Sequence, residues 1–268
     1  MHAPGTRSYS EYIPMTRTTP FLQFAVASLC ITAGLLIAPV SAETLKVGAT
    51  STGIPFTFLN VKTGQIEGMM VDVADAVAKV SGNQAEIKQT VFSALIPSLT
   101  TKKIDFISAA MIQTPARAEV VDFTDSVYDK YGDGLIVKQG ETADIKSLDD
   151  LQGKTLGVQA GTVYYNIATK KGGFKAIRTY DSIADMARDL ALGRIDAGLG
   201  DKPIMAYQIK TGNLKGVELA PHYASIQVGH ISLVVRKGDT KLLNTLNAAI
   251  AKIKANGELD KIIAKWGI

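Results

Sequence analysis

Cysteine and histidine, two residue types that often bind metals, are nearly absent from this sequence. The 268 residues include one cysteine, Cys30, and three histidines. Cys30 lies in an apolar segment near the N-terminus, and the two later histidines, His222 and His230, stand eight positions apart with no thiol nearby. Zinc sites need closely spaced thiol or imidazole ligands, so we expect no metal, no disulfide and no cofactor in the mature chain.

Clusters of charge are also absent. Lysine and arginine number 29 against 25 acidic residues, for a formal charge of +4, but they are scattered along the chain. A nucleic-acid-binding surface usually has clustered basic residues, so we expect no nucleic acid partner. With 46% hydrophobic and 20% charged residues, the composition is typical of a soluble globular protein.

Only one segment is apolar enough to enter a membrane, and it runs from Phe21 to Val40. Arg17 precedes it, and small residues end it in the pattern of a signal peptide that is cut after Ala42. An uncleaved membrane anchor is the alternative. We predict that residues 1–42 are a signal peptide, with a true start possible at Met15, and that the mature protein is secreted to the periplasm.

Short apolar segments alternate with amphipathic, helix-length segments in the rest of the chain. This order is typical of an α/β fold with mostly parallel sheets flanked by helices. Apolar residues recur at helical spacing within 70–80, where Ser81 and Gly82 are expected to end the helix, and again within 242–253 and 259–266. The predicted strands are 45–49, 85–89, 105–108, 134–138, 155–159, 177–180, 197–200, 217–219 and 231–236.

Two segments look like crossings between two lobes. One is 128–134, where Gly132 and Gly134 flank Asp133, and the other is 228–231. A chain that leaves a first lobe, builds a second and returns has two such connections, and these can act as hinges. The predicted domains are 43–132 for the first part of lobe 1, 133–230 for lobe 2 and 231–268 for the completion of lobe 1.

One unusual charge follows the predicted strand 105–108. Thr114 is expected to cap a helix that begins at Pro115, which places Arg117 in its first turn. A cation there opposes the helix dipole. We therefore interpret Arg117 as the binding group for an anion, because its planar guanidinium fits a carboxylate with two hydrogen bonds.

Two further strand ends supply complementary groups. The predicted strand 155–159 leads into Gly161 and Thr162 before a helix, and the backbone N–H groups of such a helix start can bind an anion. The predicted strand 197–200 is followed by Asp201, which on its own would be interpreted as a helix cap. Together with Arg117, these groups match a zwitterion such as an α-amino acid.

This ordered set of motifs resembles family 3 of the solute-binding proteins of ABC importers, the polar amino-acid binders. The resemblance covers essentially all of residues 43–268 and implies a two-lobed periplasmic binding protein fold with two hinge strands. It also implies that the partners are an amino acid or related carboxylate and the importer's permease subunits, and we expect a monomer. The motifs include Thr114-Pro115-x-Arg117, Val121-Asp122-Phe123-Thr124, Gly157-Val158-Gln159-x-Gly161-Thr162, Gly193-Arg194-Ile195-Asp196 and Asp201.

The resemblance also implies roles for individual residues. Arg117 and the backbone of Thr162, with neighbouring Gly161, bind the ligand carboxylate. Asp201 and the carbonyl of Ala110 receive the ammonium group, and Phe92 forms an apolar or aromatic wall.

Several positions depart from the family pattern. Thr50 stands where many binders of basic amino acids have an acidic residue, and Gly53 stands where an aromatic residue is usual. Ile112 replaces a serine or threonine that normally supports the ammonium, although its backbone N–H can still serve the carboxylate. We therefore predict a neutral or apolar ligand.

An enzyme of the cyclohexadienyl or arogenate dehydratase type is the alternative, since such enzymes resemble this family. Their chemistry needs a general acid besides the ligand-binding groups. The loops of the second half of the chain offer no candidate carboxylate other than Asp201. We therefore expect a binding protein without catalytic residues. A sensory role uses the same lobes and stays open.

Overall fold

The computed structural model describes residues 42–268. Residues 1–41 are not described, so most of the predicted signal peptide, including Cys30, falls outside this range. In the described part of the chain, no helix has the length and apolar character needed to cross a membrane.

The described residues form twelve strands and eight α-helices in an alternating order. The strands are β1 (Thr44–Ala49), β2 (Thr52–Gly53), β3 (Thr57–Asn60), β4 (Gln65–Glu67), β5 (Gln84–Gln89), β6 (Phe106–Ile107), β7 (Val121–Lys138), β8 (Thr155–Gln159), β9 (Ala176–Tyr180), β10 (Ala197–Asp201), β11 (Val217–Leu219) and β12 (Val228–Arg236). The helices are α1 (Met69–Val80), α2 (Leu95–Thr100), α3 (Pro115–Ala118), α4 (Val163–Lys171), α5 (Ile183–Ala191), α6 (Lys202–Lys210), α7 (Thr240–Ala255) and α8 (Glu258–Trp266).

Nine strands join into one sheet in the order β5-β1-β6-β12-β7-β10-β8-β9, with β11 beside β7. The first sheet half contains the parallel strands β5, β1 and β6, and the second sheet half contains the parallel strands β10, β8 and β9. The long antiparallel pair of β7 and β12 joins them. The expected α/β fold with mostly parallel sheets flanked by helices is confirmed.

Strand β7 exchanges its neighbour along its length. It pairs with β12 as far as Gly132 and with β10 from Asp133 onward. The pairing of β7 with β12 shifts register three times between Gly229 and Val234. This exchange coincides with the predicted lobe boundary at 132/133, and the division into lobes at these residues stays a prediction.

The buried Asp133 holds the returning chain beside this crossing. Its carboxylate accepts hydrogen bonds from the hydroxyls of Tyr223 (2.8 Å) and Ser225 (2.6 Å). It also accepts the backbone N–H groups of Ile226 (2.8 Å) and Gln227 (2.7 Å). A buried carboxylate is stable only when it is satisfied in this way, so Asp133 fixes the segment that leads into β12.

Local signals account for the helix boundaries. Helix α1 buries Met70, Val73 and Val77 on one face, and it ends at Ser81, followed by Gly82 with φ of 76°, as predicted. Helix α7 begins where the side chain of Asp239 accepts the N–H of Leu242.

Some elements were not predicted. Strand β7 begins at Val121 rather than at residue 134, and the meander β2-β3-β4 was missed. The buried positions of β7 do not alternate regularly, because the strand changes neighbours and therefore changes the face that it buries. The meander strands have only two to four residues each, which is too short for a periodic pattern.

Candidate ligand-binding site

Arg117 lies on α3, and local hydrogen bonds set its position. The expected cap is present, since the Thr114 hydroxyl accepts the N–H of Arg117 (3.3 Å) and Pro115 is the first helical residue. The Nη1 group of Arg117 donates to the carbonyl oxygen of Ile112 (2.6 Å). The side chain is thereby turned back from its short helix toward the second sheet half.

The other end of the guanidinium reaches across to the second sheet half. Arg117 Nη2 donates to the carbonyl oxygen of Gly161 (3.1 Å), and its Cζ lies 5.7 Å from the centre of the Phe92 ring. Burial lowers the pKa of Arg117, and the negative charge of Asp201 opposes that effect. A partly buried guanidinium whose partners here are two neutral carbonyls is suited to bind an anion.

Asp201 is the last residue of β10 and precedes α6. It occupies the N-cap position, but its side chain makes no capping hydrogen bond. Instead the hydroxyl of Tyr164 donates to Oδ1 of Asp201 at 2.6 Å. The structure therefore contradicts the helix-cap interpretation, because the carboxylate turns into the protein interior.

Asp201 is only 9% exposed. Burial raises the pKa of Asp201 to about 6, although the hydrogen bond from Tyr164 and the charge of Arg117 both act to lower it. An ionised carboxylate in this position is costly unless a cation pairs with it. Asp201 therefore favours the binding of a positively charged ligand group.

The loop before α4 brings the second sheet half against the first. Gly161 has φ of 77°, and a Cβ atom at this position would lie 2.6 Å from Cα of Ser93. Only glycine permits this close approach. Thr162 precedes α4 at the N-cap position but does not cap the helix, since its hydroxyl donates to the carbonyl oxygen of Gln159 (2.7 Å).

Two adjoining cavities lie between the sheet halves, and each has a volume of about 10 Å³, room for about one water molecule. The arginine cavity is lined by Phe92, Ala110, Ile112, Arg117, Thr162, Val163, Tyr164 and Asp201. The threonine cavity is lined by Thr50, Thr52, Gly53, Phe56, Thr57, Phe92, Ala109, Ala110, Tyr131, Gln159, Ile183, Asp201 and Ile204. Because Phe92, Ala110 and Asp201 line both, the two cavities form one elongated site.

Of the eight predicted site residues, six line the arginine cavity: Phe92, Ala110, Ile112, Arg117, Thr162 and Asp201. Thr50 lines the threonine cavity, where its hydroxyl pairs with that of Thr57 at 2.6 Å. Gly161 does not line either cavity and contributes its carbonyl to Arg117. The structure thus brings all eight into one region, and their role in ligand binding stays a prediction.

Ala110 stands where the two cavities meet. Its φ of 52° is unusual for a residue other than glycine. Backbone strain of this kind often occurs at functional sites.

Two tyrosines at the site were missed from the sequence. Tyr164 hydrogen-bonds Asp201, and Tyr131 of β7 is 1% exposed and lines the threonine cavity. The sequence carried a weak signal for each. Tyr164 lies in the first turn after Gly161 and Thr162, whose backbone was predicted to bind an anion. Tyr131 lies within the predicted crossing 128–134.

Larger grooves occur on the surface but lack this chemistry. One, of about 590 Å³, lies between α6 and α8, and another, of about 370 Å³, lies between α1 and α8. The second contains Lys79, Glu258 and Lys261 at the open surface, where water screens their charges. The two small cavities enclose a partly buried arginine and a buried aspartate, so we place the site there.

No group of three or more potential metal ligands occurs among residues 42–268. The two histidines have separate carboxylate partners, since His222 lies 2.7 Å from Asp144 and His230 lies 2.8 Å from Asp129. All four side chains are more than half exposed.

The chain is similar to known solute-binding proteins over most of its length. The model of the family "Bacterial extracellular solute-binding proteins, family 3" matches residues 45–268. The chain is 32% identical over 233 residues to the L-cystine-binding protein TcyJ of Escherichia coli strain K12, with 87% of this chain and 86% of that protein covered. It is 31% identical over 235 residues to the putative ABC transporter arginine-binding protein 2 of the same strain, with 87% and 95% covered.

Solved structures of similar sequence have the same fold. An ancestral arginine-binding protein bound to arginine superposes with a TM-score of 0.76 at 34% identity, covering 84% of this chain and 98% of that one. The ancestral amino acid-binding protein AncCDT-1, described as a precursor of cyclohexadienyl dehydratase, gives a TM-score of 0.72 at 34% identity, covering 83% and 95%.

Proposed function

Since this chain belongs to the bacterial extracellular solute-binding proteins of family 3, we propose that it is the solute-binding component of an ABC importer and binds a neutral or apolar amino acid. The observation that carries this proposal is the pair of opposite charges in one cavity. Arg117 comes from the first sheet half and Asp201 from the second, and Arg117 is partly buried while Asp201 is buried. A small zwitterion between them satisfies both charges at once.

The two ends of the ligand's backbone are assigned by charge. The carboxylate binds the guanidinium of Arg117 and the start of α4 at Thr162, because an ionised acceptor binds guanidinium more strongly than the neutral carbonyl of Gly161 does. The ammonium binds Asp201 and the carbonyl of Ala110, where the two cavities meet. The ligand's side chain then extends into the threonine cavity.

Ligand entry requires the sheet halves to separate. Each cavity holds only about one water molecule, whereas an amino acid is several times larger. Strands β7 and β12 are the two connections between the halves, and their shifted register provides positions that can bend. We propose that they are the hinges and that the closed lobes are the form that the permease subunits recognise.

The neutral specificity follows from the lining of the threonine cavity. Asp201 is its sole charged side chain among the described residues, and the ammonium uses it. Thr50, Thr57 and Gln159 supply only neutral polar groups. A cationic ligand side chain would be buried there without a partner, at a cost of several kcal/mol.

A ligand screen tests the proposal. Purified residues 43–268 are heated with each of the twenty amino acids, and the Tm is measured. A neutral amino acid should raise Tm the most, because ligand at a hundredfold excess over its Kd stabilises the folded state by about 2.7 kcal/mol. The N-acetyl form of the best ligand, which lacks the ammonium charge, is the control and should give no shift. Calorimetry in which arginine, lysine or histidine binds tightest would contradict the neutral specificity.

Secretion of the mature chain to the periplasm is part of the proposal, and we propose that it acts there as a monomer. The mass of the exported protein should correspond to a chain that begins at Glu43. A mass that includes residues 21–40 would show an uncleaved anchor instead. Growth on the identified amino acid as the sole nitrogen source, with and without the gene, would separate import from a purely sensory role.

Dehydratase activity is the second candidate, because Asp201 has the properties of a general acid. Its pKa of about 6 allows it to carry a proton near neutral pH, and AncCDT-1 is described as a dehydratase precursor. In our proposal, however, Asp201 is the counter-charge for the ammonium, and no other carboxylate among the described residues lines either cavity. Incubation with prephenate or arogenate should therefore yield no phenylpyruvate or phenylalanine, and formation of either product would establish the enzyme.

A further inference from the structure

An α-ammonium group has three N–H bonds and needs three acceptors when it is buried. The proposed function supplies two, the Asp201 carboxylate and the Ala110 carbonyl. On the basis of that proposed function, we propose that the hydroxyl oxygen of Tyr131 is the third acceptor for the ligand's ammonium.

The Tyr131 hydroxyl is buried without a hydrogen-bond partner. Among residues 42–268, Tyr131 Oη and Ser232 Oγ are the two buried side-chain polar atoms in this condition. Ser232 lines neither cavity, whereas Tyr131 lines the threonine cavity together with Ala110 and Asp201. Native proteins rarely leave buried hydroxyls unpaired, so the position of this one points to a ligand group.

The protonation state of the hydroxyl and the nearby Asp201 suit an acceptor. Burial raises the pKa of Tyr131 well above its ordinary value, and the nearby charge of Asp201 adds to this, so the hydroxyl keeps its proton. The negative charge of Asp201 attracts that proton and leaves the oxygen lone pairs free for another donor. Tyr164 occupies only Oδ1 of Asp201. An ammonium beside Asp201 therefore meets the Tyr131 oxygen as well.

The neighbouring side chains make this assignment specific. Phe92 and Ile112, which also line the site near Asp201, are apolar. Other polar side chains of the threonine cavity already have partners, since the hydroxyls of Thr50 and Thr57 pair with each other and the amide nitrogen of Gln159 donates to the carbonyl of Asp181. The Tyr131 ring is held edge-on against Phe56, with ring centres 5.2 Å apart and an interplanar angle of 81°. A fixed ring places its hydroxyl in advance, so little conformational entropy is lost when the ligand binds.

Tyr131→Phe removes the acceptor and keeps the ring. Calorimetry should give a Kd for the best neutral amino acid that is roughly tenfold higher, the effect of one lost hydrogen bond in a desolvated site. The Tm of the ligand-free variant should not fall, because the hydroxyl is unpaired there. Tyr128→Phe is the matched control, since Tyr128 lies on the same strand and contacts the same Phe56 ring (5.8 Å) but lines neither cavity.

A second variant tests whether the Tyr131 hydroxyl acts as a hydrogen-bond acceptor or only contributes to packing. Ile112→Thr introduces a hydroxyl into the arginine cavity, and combined with Tyr131→Phe it should recover most of the lost affinity. Tyr131→Phe with a wild-type Kd would overturn the inference while the proposed function stands. The inference would also be overturned if Tyr131→Phe lowered the Tm of the ligand-free protein and the double variant bound the ligand no more tightly than Tyr131→Phe alone. A wild-type protein that binds no amino acid would refute the proposed function and this inference together.

Discussion

Gly161→Ala provides a direct test of whether the two sheet halves close on the ligand. Gly161 has φ of 77°, and its Cβ position lies 2.6 Å from Cα, 3.0 Å from Cβ and 3.2 Å from N of Ser93. Gly161 follows β8 of the second sheet half and Ser93 follows β5 of the first. An added methyl group therefore collides with backbone of the opposite half only when the halves are together.

Two free-energy terms arise from this change. The left-handed backbone conformation costs alanine about 1 kcal/mol, and it does so whether the halves are together or apart. The collision with Ser93 involves backbone atoms that cannot rotate away, and overpacking of this kind costs about 1–3 kcal/mol. Since the collision is relieved when the halves separate, we expect it to appear as a Kd that rises between about 5-fold and 150-fold.

Gly153→Ala is the matched control. Gly153 has φ of 70° in the same sheet half, but its Cβ position has no heavy atom within 4 Å. The two variants should therefore lose similar stability in urea unfolding of the ligand-free protein. Calorimetry with the best amino acid from the screen should show weaker binding for Gly161→Ala alone. Equal affinities in the two variants would mean that Ser93 and Gly161 do not meet in the bound form, and the closure argument would be wrong.

Two further predictions concern the charged pair. Arg117→Ala should weaken ligand binding by at least about a hundredfold in calorimetry and leave the circular dichroism spectrum unchanged, because breaking a buried charge pair costs about 3–5 kcal/mol. Arg188→Ala, which removes an exposed ion pair with Asp185, is its control and should bind normally. The pKa of Asp201 is raised to about 6 in the folded state. The ligand-free protein should therefore lose about 2 kcal/mol of stability as pH rises from 4 to 7, whereas Asp201→Asn should not. The ammonium favours ionised Asp201, so affinity should fall up to about tenfold per pH unit below pH 6, and a pH-independent Kd between 5 and 7 would contradict the assigned role.

The charged site residues could be identified from the sequence because each depends on a local signal. Arg117 is three residues after Thr114, and the expected helix cap explains why its position is unusual. Asp201 ends a short apolar strand, where ligand groups often lie in α/β proteins. The structure places both in the same cavity, as the hypothesis of a zwitterion site requires.

The tyrosines of the site could not be identified in this way. Tyr164 and Asp201 are 37 residues apart and meet only because β8 and β10 are neighbours in the sheet. Tyr131 lies in a strand whose irregular burial gave no periodic pattern. A tyrosine in an amphipathic or irregular segment is most simply interpreted as part of the core until its neighbours are known.

The amino-acid sequence by itself determined the alternation of strands and helices, the cap of α3, the end of α1 and the chemical types at the strand ends. These properties depend on residues within a few positions of one another, so periodicity and capping rules predict them. Only the tertiary structure decided that Asp201 accepts a hydrogen bond from Tyr164 instead of capping α6, that its pKa is raised, and that Gly161 must be glycine to approach Ser93. Burial and close contact are set by residues far apart in the chain, and the order of the strands in the sheet brings those residues together.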